Sequence, residues 1–490
     1  MSYYVGVDLG TGSIKIVLAD ESGEILGKES SDFSIISSQA NYSEQNPEEW
    51  IKGFEQAFTR LLAKFPETSK CLKAISFSGQ MHSLVLLDKN GMPIRSAILW
   101  NDTRTTEQVE KLKAEVGQRL LDVEKNIPLE GFTLPKILWV MKNDRVSWAN
   151  TWKFMMPKDY LIYYLTGRIC TERSDASGTI IYDIENHSWD ARLLEMYGIK
   201  KDQCPEILKS TEIAGVFQGK VKEKFGLSND VQVIMGGADN ACGALGVIDD
   251  KETQGMLSVG TSGVVLCYSN RTDESIGNYH YFNSVIENQN YKMGVTLSAA
   301  YSLEWYKENF STTEDFSELT NQAMNSTIGS NGMLFLPYLF GERSPYYNSN
   351  MSAEFIGIKS IHKKGDFIRS IMEGVAFSLR NVYERMKLIN SDKKNKFRIT
   401  GGVVNNSFWL QIFANVFNAE IEVLETDEGP ALGALICAVY STTDKDYNEI
   451  WSKFNQVRKI YKPQKETVQM YDSCFEKFKR ISNEMNYEGS

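Results

Sequence analysis

Short apolar runs rich in β-branched residues alternate with stretches of helical spacing along most of this chain. Three strands are expected first: Tyr3–Leu9, Ile14–Ala19 and about Ile25–Phe33, with Glu21-Ser22-Gly23-Glu24 turning between the last two. Pro47 to Leu62 places Trp50, Ile51, Phe54, Phe58, Leu61 and Leu62 on one side, which predicts an amphipathic helix. Ala74–Ser78 reads as a strand, and Leu84–Leu87 and Ile94–Leu99 flank Asn90-Gly91, a hairpin signal. Thr103 to Leu121 reads as a highly charged helix. The pattern is then irregular to about Asp230, with helices near Leu134–Lys142 and Lys158–Leu165. Val231–Met235 is a β-branched run that should end at Gly236-Gly237, before a small-residue helix from about Asp239. Phe367, Ile368, Ile371, Met372, Val375, Leu379, Val382 and Met386 recur at spacings of three and four. They predict a helix over Asp366–Ile389 with Asp366 as its N-cap. Strands Phe397–Thr400 and Ile421–Leu424, a Gly401-Gly402 turn, and helices Ser407–Asn418 and Pro430–Thr442 follow.

One unit of this pattern occurs twice. Val7-Asp8-Leu9-Gly10-Thr11-Gly12-Ser13 leads into the apolar run Ile14–Ala19, and Leu257-Ser258-Val259-Gly260-Thr261-Ser262-Gly263 leads into Val264–Tyr268. Each reads as strand, tight Gly/Thr turn, strand. Two such hairpins, one per half, suggest two related lobes that each offer a turn to one ligand. Turns of this kind aim backbone N–H groups and a hydroxyl into a concavity, which suits a phosphate. Asp8 in the first copy aligns with Ser258 in the second. A carboxylate beside a phosphate turn suits a cation such as Mg²⁺. Taken singly, each hairpin reads equally well as an ordinary glycine turn.

Length and composition narrow the class. A chain of 490 residues is too long for one core, so two or more domains are expected. No linker composition marks the boundary, which is placed near Gly246. Net charge is -10, from 63 acidic against 53 basic residues, which argues against a nucleic acid as main partner. The longest apolar stretches, such as Ala431 to Tyr440, are about half the length needed to span a bilayer, so no membrane partner is expected. Met1-Ser2-Tyr3-Tyr4-Val5-Gly6 has no basic segment or cleavage site, so no secretory leader is expected there. The seven cysteines are dispersed, without a CxxC pair, as reduced thiols of a cytoplasmic protein would be. Four histidines without HExxH make a zinc site an unfavoured reading, while Asp/Glu sites for hard cations stay open.

The chemistry-bearing residues point to phosphoryl transfer. There is no G-x-x-x-x-G-K-[ST], and Lys15 stands where a dinucleotide fingerprint needs its third glycine. Gly401-Gly402, between strand and helix, could let an adenine ring lie on bare backbone, although a plain turn reads as well. In Gly237-Ala238-Asp239-Asn240 a carboxylate follows a strand and two glycines, with small residues leaving room for a ligand. Alone it would read as an N-cap; beside phosphate turns, Asp239 is the best candidate to accept the proton of an alcohol being phosphorylated. Gly79-Gln80-Met81-His82-Ser83 and Leu99-Trp100-Asn101-Asp102-Thr103-Arg104 end two strands, where an α/β sheet presents its ligand site. Polar groups beside an aromatic plate suit a polyol; His82 on chemistry alone is as readily structural.

Together these residues resemble the FGGY carbohydrate kinases, of the actin/Hsp70/sugar-kinase (ribonuclease H-like) fold, over nearly the whole chain. The likeness includes phosphate patterns at Asp8-Leu9-Gly10-Thr11 and Gly260-Thr261-Ser262-Gly263, and an adenosine pattern at Gly401-Gly402. Gly131-Phe132-Thr133-Leu134-Pro135-Lys136-Ile137-Leu138-Trp139 matches the family's first signature. Gly357 through Asp366, Arg369 and Glu373-Gly374 resemble the second, and Phe335 through Pro345 is also typical. The resemblance implies an α/β protein of two lobes with the active site in the cleft between them. Residues 1–246 would form the sugar-binding lobe and 247–490 the ATP-binding lobe. It implies ATP and Mg²⁺ as cofactors, with Asp8 acting through the metal and Asp239 as base. Gln80, Met81, His82, Trp100, Asp239 and Asn240 would meet the sugar. Gly10, Thr11, Gly12, Ser13, Lys15, Gly260, Thr261, Ser262, Gly401, Gly402 and Asn405 would meet the nucleotide. Closure of the lobes around the phosphates and a homodimer are family-level expectations.

Within the family, Ser78–His82, Ile98–Arg104 and Gly237–Asn240 look like members acting on the ketopentose xylulose. Those members commonly carry Gly where this chain has Ser83; Met-His-Ser is seen in gluconate-phosphorylating members. Gluconate, or another polyol or ketose, is the alternative substrate. A non-catalytic sugar sensor is a further reading, but it need not keep both Asp8 and Asp239. An Hsp70- or actin-like ATPase would have no use for a sugar-type site.

Overall fold

The computed structural model describes residues 2–272, 276–311, 315–386, 394–426 and 428–488. The chain forms two compact units that are discontinuous in sequence. The first comprises Met1–Asp249, Phe282–Asn290 and Glu428–Asn455; the second comprises Asp250–Tyr281, Tyr291–Asp427 and Gln456–Ser490.

The first unit is built on a six-stranded sheet. Its order is Ile213–Val216, Gln232–Ala238, Leu72–Gly79, Tyr3–Leu9, Ser13–Asp20 and Ile25–Asp32. The last three form an antiparallel meander, and Tyr3–Leu9, Leu72–Gly79 and Gln232–Ala238 run parallel. Val5, Val7 and Leu9 point to one face, where the Pro47–Lys64 helix buries Trp50, Phe54, Phe58 and Leu61. That helix starts where Asn46 accepts the Glu48 N–H (3.1 Å) and Pro47 fills the first position. Gly6 points to the other face, against the Pro430–Tyr440 helix. A Cβ on Gly6 would lie 2.1 Å from the Ala431 carbonyl oxygen, so no larger residue fits. The same helix meets Asp239–Val247 through small residues: a Cβ on Gly433 would lie 1.8 Å from the Cys242 carbonyl oxygen.

The second unit repeats this topology. Its seven-stranded sheet runs His280–Asn283, Asn290–Thr296, Gly263–Tyr268, Gln254–Val259, Lys396–Thr400, Glu420–Leu424 and Val457–Tyr461, with Phe282, Asn283 and Asn290 counted in the first unit's segment. The Gln254–Val259 strand pairs antiparallel with Gly263–Tyr268 and parallel with Lys396–Thr400, as Tyr3–Leu9 does with its two neighbours. An edge strand antiparallel to its neighbour follows the parallel strands in each sheet. The repeated hairpin in the sequence is thus the start of a repeated sheet.

Four expectations need correction. The Val231–Met235 strand does not stop at the glycines; it runs to Ala238 through a bulge between Ile234 and Gly237, where Gly236 adopts φ +68°. The small-residue helix does start at Asp239, as expected, with Ala238 as its cap. Asp366 is inside its helix, Lys364–Arg385: it sits at the third position and accepts the Lys363 N–H (2.7 Å), so Lys363 is the cap. The Asn90-Gly91 turn forms on Asp88, but the strands beside it pair only through bridges such as Leu84 with Ile98. Val85–Leu87 takes Lys153–Met155 as its partner instead, and Ala97–Ile98 takes Glu44–Gln45. The Thr103–Leu121 helix is Thr106–Arg119, continued by a wider turn over Leu120–Glu124. Ile389, the expected end of the Asp366 helix, lies outside the described residues. Among the described residues, no helix is long and apolar enough to cross a membrane.

Candidate active site

Strand register assembles the first group of residues. Asp8 lies opposite Ser78, and Ser78 lies opposite Gly237, in three adjacent parallel strands. The strands therefore end together, and Asp8, Gln80-Met81-His82 and Asp239-Asn240 meet at one edge of the first unit's sheet. Asp8 is partly buried, and its Oδ1 is covered without a hydrogen-bond partner. Burial pushes its carboxyl up to about 6, against the pull of the Ser78 hydroxyl and Lys15. Asp239 is pushed up to about 7 by burial and then by the negative charge of Asp8. Asn240 opposes this by donating its N–H (2.7 Å) and side-chain amide (2.9 Å) to Asp239 Oδ1.

His82 is held in a strained turn. Its φ is +68°, uncommon for a residue with a side chain. Its Nδ1–H donates to the Gly178 carbonyl oxygen at 2.6 Å, and the ring meets Phe132 edge-on with centroids 4.7 Å apart. A Cβ on Gly178 would lie 2.8 Å from that nitrogen, so a larger residue there would displace the His82 ring. The Thr133 hydroxyl donates to the His82 carbonyl (2.9 Å), and buried Lys136 gathers the carbonyls of Glu130, Gly131 and Phe132. The segment from Glu130 to Lys136 is thus a clamp beneath His82.

Gln80 is buried, and its Oε1 accepts the Ser83 hydroxyl at 3.1 Å. Ser83, also buried, accepts the Trp100 N–H at 3.0 Å, and the Trp100 indole donates to the Thr11 hydroxyl at 2.9 Å. The indole itself stays 40% exposed and forms a plate at the surface. Asp102 turns inwards, pairing with Arg104 (2.5 Å) and accepting the Ser43 N–H (2.7 Å). It holds its loop in place.

The first glycine turn spans Gly10 to Ser13. Gly12 is exposed, and a Cβ on it would meet nothing. Lys15, directly opposite Asp8 across the hairpin, pairs with Glu428 at 2.7 Å, and Lys28 pairs with the same carboxylate. Burial disfavours the Glu428 charge, but the two lysines more than offset it and hold its carboxyl below the usual range.

The second group surrounds a cavity of about 940 Å³ in the second unit. Gly260, Thr261, Gly402 and Asn405 line it; Ser262 and Gly401 adjoin it in the chain. A Cβ on Gly402 would meet open space, whereas Gly401, at φ +90°, presses on the Val259 carbonyl. The turn is fixed by the Ala299 and Ala300 N–H groups on the Thr261 and Gly260 carbonyls (both 2.8 Å). Tyr301, Phe316 and Phe408 complete the apolar wall with residues that the sequence reading passed over. They stand in segments without glycine or strand-end punctuation, so only the fold brings them to the turn.

The duplicated sheet, the carboxylates at the strand ends of one unit and the glycine-walled cavity in the other are features that the resemblance to ATP-using carbohydrate kinases implies. The chain belongs to the FGGY family of carbohydrate kinases, whose N-terminal domain matches residues 3–246 and whose C-terminal domain matches 255–442. It is 40% identical over 483 residues to the xylulose kinase of Lactococcus lactis subsp. lactis (strain IL1403), covering 98% of this chain and 96% of that protein. Among solved structures it resembles ligand-bound xylulose kinase from Lactobacillus acidophilus (TM-score 0.93, 26% identity, 99% of this chain and 98% of that one). It resembles gluconate kinase from Lactobacillus acidophilus equally (TM-score 0.93, 26% identity, 100% of this chain and 99% of that one). Backbone similarity therefore does not choose between these two sugars.

Proposed function

We propose that this kinase transfers the γ-phosphoryl group of Mg-ATP to a hydroxyl of D-xylulose, giving D-xylulose 5-phosphate. The observation that carries the reading is the meeting of Asp8, Gln80-Met81-His82 and Asp239-Asn240 at three parallel strand ends. The xylulose kinase of Lactococcus lactis, at 40% identity, supports the choice of sugar. So does Ser83: its hydroxyl is spent between Gln80 and Trp100, so Ser in place of Gly is an internal brace rather than a contact for gluconate.

Asp239 orients the acceptor hydroxyl and takes its proton as the new P–O bond forms and the β–γ P–O bond breaks. Met81, His82 and Asn240 present the sugar, with Trp100 as the aromatic plate. Gly10, Thr11, Gly12, Ser13 and Lys15 receive phosphate at the first turn. Gly260, Thr261, Ser262, Gly401, Gly402 and Asn405 receive the nucleotide at the second-unit cavity. The uncovered demand of Asp8 Oδ1 fits Mg²⁺, which takes few protein carboxylates and keeps water and phosphate oxygens. When bound, Mg²⁺ would neutralise charge on the transferring group. The seven free thiols support a cytoplasmic setting.

Asp239→Ala tests the reading. It should abolish ADP release with D-xylulose while sugar binding, read by calorimetry, stays within about tenfold, or about 1.4 kcal/mol. Residual turnover near wild type would rule out Asp239 as the base.

A further inference from the structure

Behind the two strand ends lies a knot of buried charge. Lys158 Nζ lies 2.9 Å from Asp159, 3.2 Å from Asp175 and 3.8 Å from Glu172, and all four side chains are 0% exposed. Burial disfavours the ammonium, but the three carboxylates hold Lys158 protonated, well above its ordinary range. Burial, with the charges of Asp159 and Glu172, pushes Asp175 far above the usual carboxylate value against the pull of Lys158. Glu172 accepts the N–H groups of Ser174 and Asp175 (both 2.8 Å) and the Ser210 hydroxyl (2.6 Å).

Ser174 links this knot to the active-site edge. Its hydroxyl donates to Glu172, 2.8 and 2.9 Å from the two oxygens, and accepts the Ala238 N–H at 2.9 Å. A hydroxyl has one proton. With that proton committed to a carboxylate, the lone pair is left to Ala238, and the orientation is fixed. Ala238 is the cap residue of the Asp239–Val247 helix and has no side-chain oxygen to cap it. Ser174 thus accepts the N–H of the cap residue itself, the bond that a capping box takes from the third helical residue, which here is Ala241 and has no polar side chain. The knot also backs the other strand end, because a Cβ on Gly79 would lie 2.8 Å from Lys158 Cβ.

We infer that Ser174, held by Glu172, is a positioning residue that sets where the Asp239 carboxylate stands. The inference rests on the assignment of Asp239 as base. Small misplacements of a reacting group cost about a hundredfold in rate. Ser174→Ala should lower kcat roughly ten- to hundredfold and leave the D-xylulose dissociation constant within about threefold. Ser210→Ala is the control: it removes a bond to the same carboxylate but none to Ala238, and its kcat should stay near wild type. If Ser174→Ala does not fold, Glu172→Gln replaces it. Its amide N–H would compete with Ala238 for the Ser174 lone pair and should produce the same loss confined to kcat. Equal kcat losses in Ser174→Ala and Ser210→Ala, or unimpaired kcat in Ser174→Ala, would overturn the inference. Asp239→Asn measured alongside separates the two failures. Turnover there sinks the base assignment and the role of Ser174 with it; an inactive Asp239→Asn beside a fully active Ser174→Ala sinks the positioning role alone.

Discussion

At the scale of the residue, Asp239 is held short of full ionisation near neutrality by its burial and by Asp8. A base must be ionised to accept a proton, so kcat/KM should fall tenfold per pH unit below about 7 as Asp239 takes up its proton. A pH–rate profile flat from pH 8 down to about 5 would contradict this role. The same shift has an opposite sign for stability. The fold raises the carboxyl from 3.8 to about 7 and so favours the neutral acid; ionisation costs stability, increasingly as pH rises between these values. Asp239→Asn removes the cost, so without metal it should melt above wild type at pH 8, and the gain should shrink towards pH 4. Scanning calorimetry at the two pH values checks it. The positions of Asp8 and Asp239 at strand ends were legible because each is a carboxylate two residues from a glycine at the end of an apolar run. Ser174 was not, because its role depends on a bond to a residue 64 positions away.

At the scale of the element, one glycine shapes the site. Gly236 has φ +68°, and a Cβ on it would lie 1.8 Å from the Phe77 carbonyl oxygen. Gly236→Ala should destabilise the protein by at least about 2 kcal/mol through backbone strain and the lost approach of the two strands. Urea denaturation would show it, and an unchanged midpoint would contradict it. Lys158→Met should cost about 3–5 kcal/mol by the same assay, since it leaves buried carboxylates without their cation. Most strands and helices were legible from apolar period alone, as at Tyr3–Leu9 and Pro47–Lys64. Glycine misled at Gly236 because the same residue that breaks a strand in sequence makes a bulge within one. Asp366 misled because a capping box places an acid three residues inside the helix.

At the scale of the whole molecule, the repeat was legible because both sheets start from the same hairpin. The membership of the units was less so. Residues 428–455 follow the second sheet's parallel strands in sequence yet belong to the first unit. The Pro430–Tyr440 helix is apolar all round, which signals burial on every side but does not name the neighbours. Its close fit on Gly6 and on Cys242 implies that residues 1–246 do not complete a core alone. Expressed by itself, that fragment should lack the dispersed amide spectrum of a folded domain; a well-dispersed spectrum would contradict the packing account.

The central claim is phosphoryl transfer to D-xylulose. The most direct test is ADP release by the purified protein with Mg-ATP, across D-xylulose, L-xylulose, ribulose, gluconate and glycerol. D-xylulose should give the highest kcat/KM. A higher value for gluconate would contradict it, and would mean that Met81-His82-Ser83 outweighs the Gln80 and Trp100 setting.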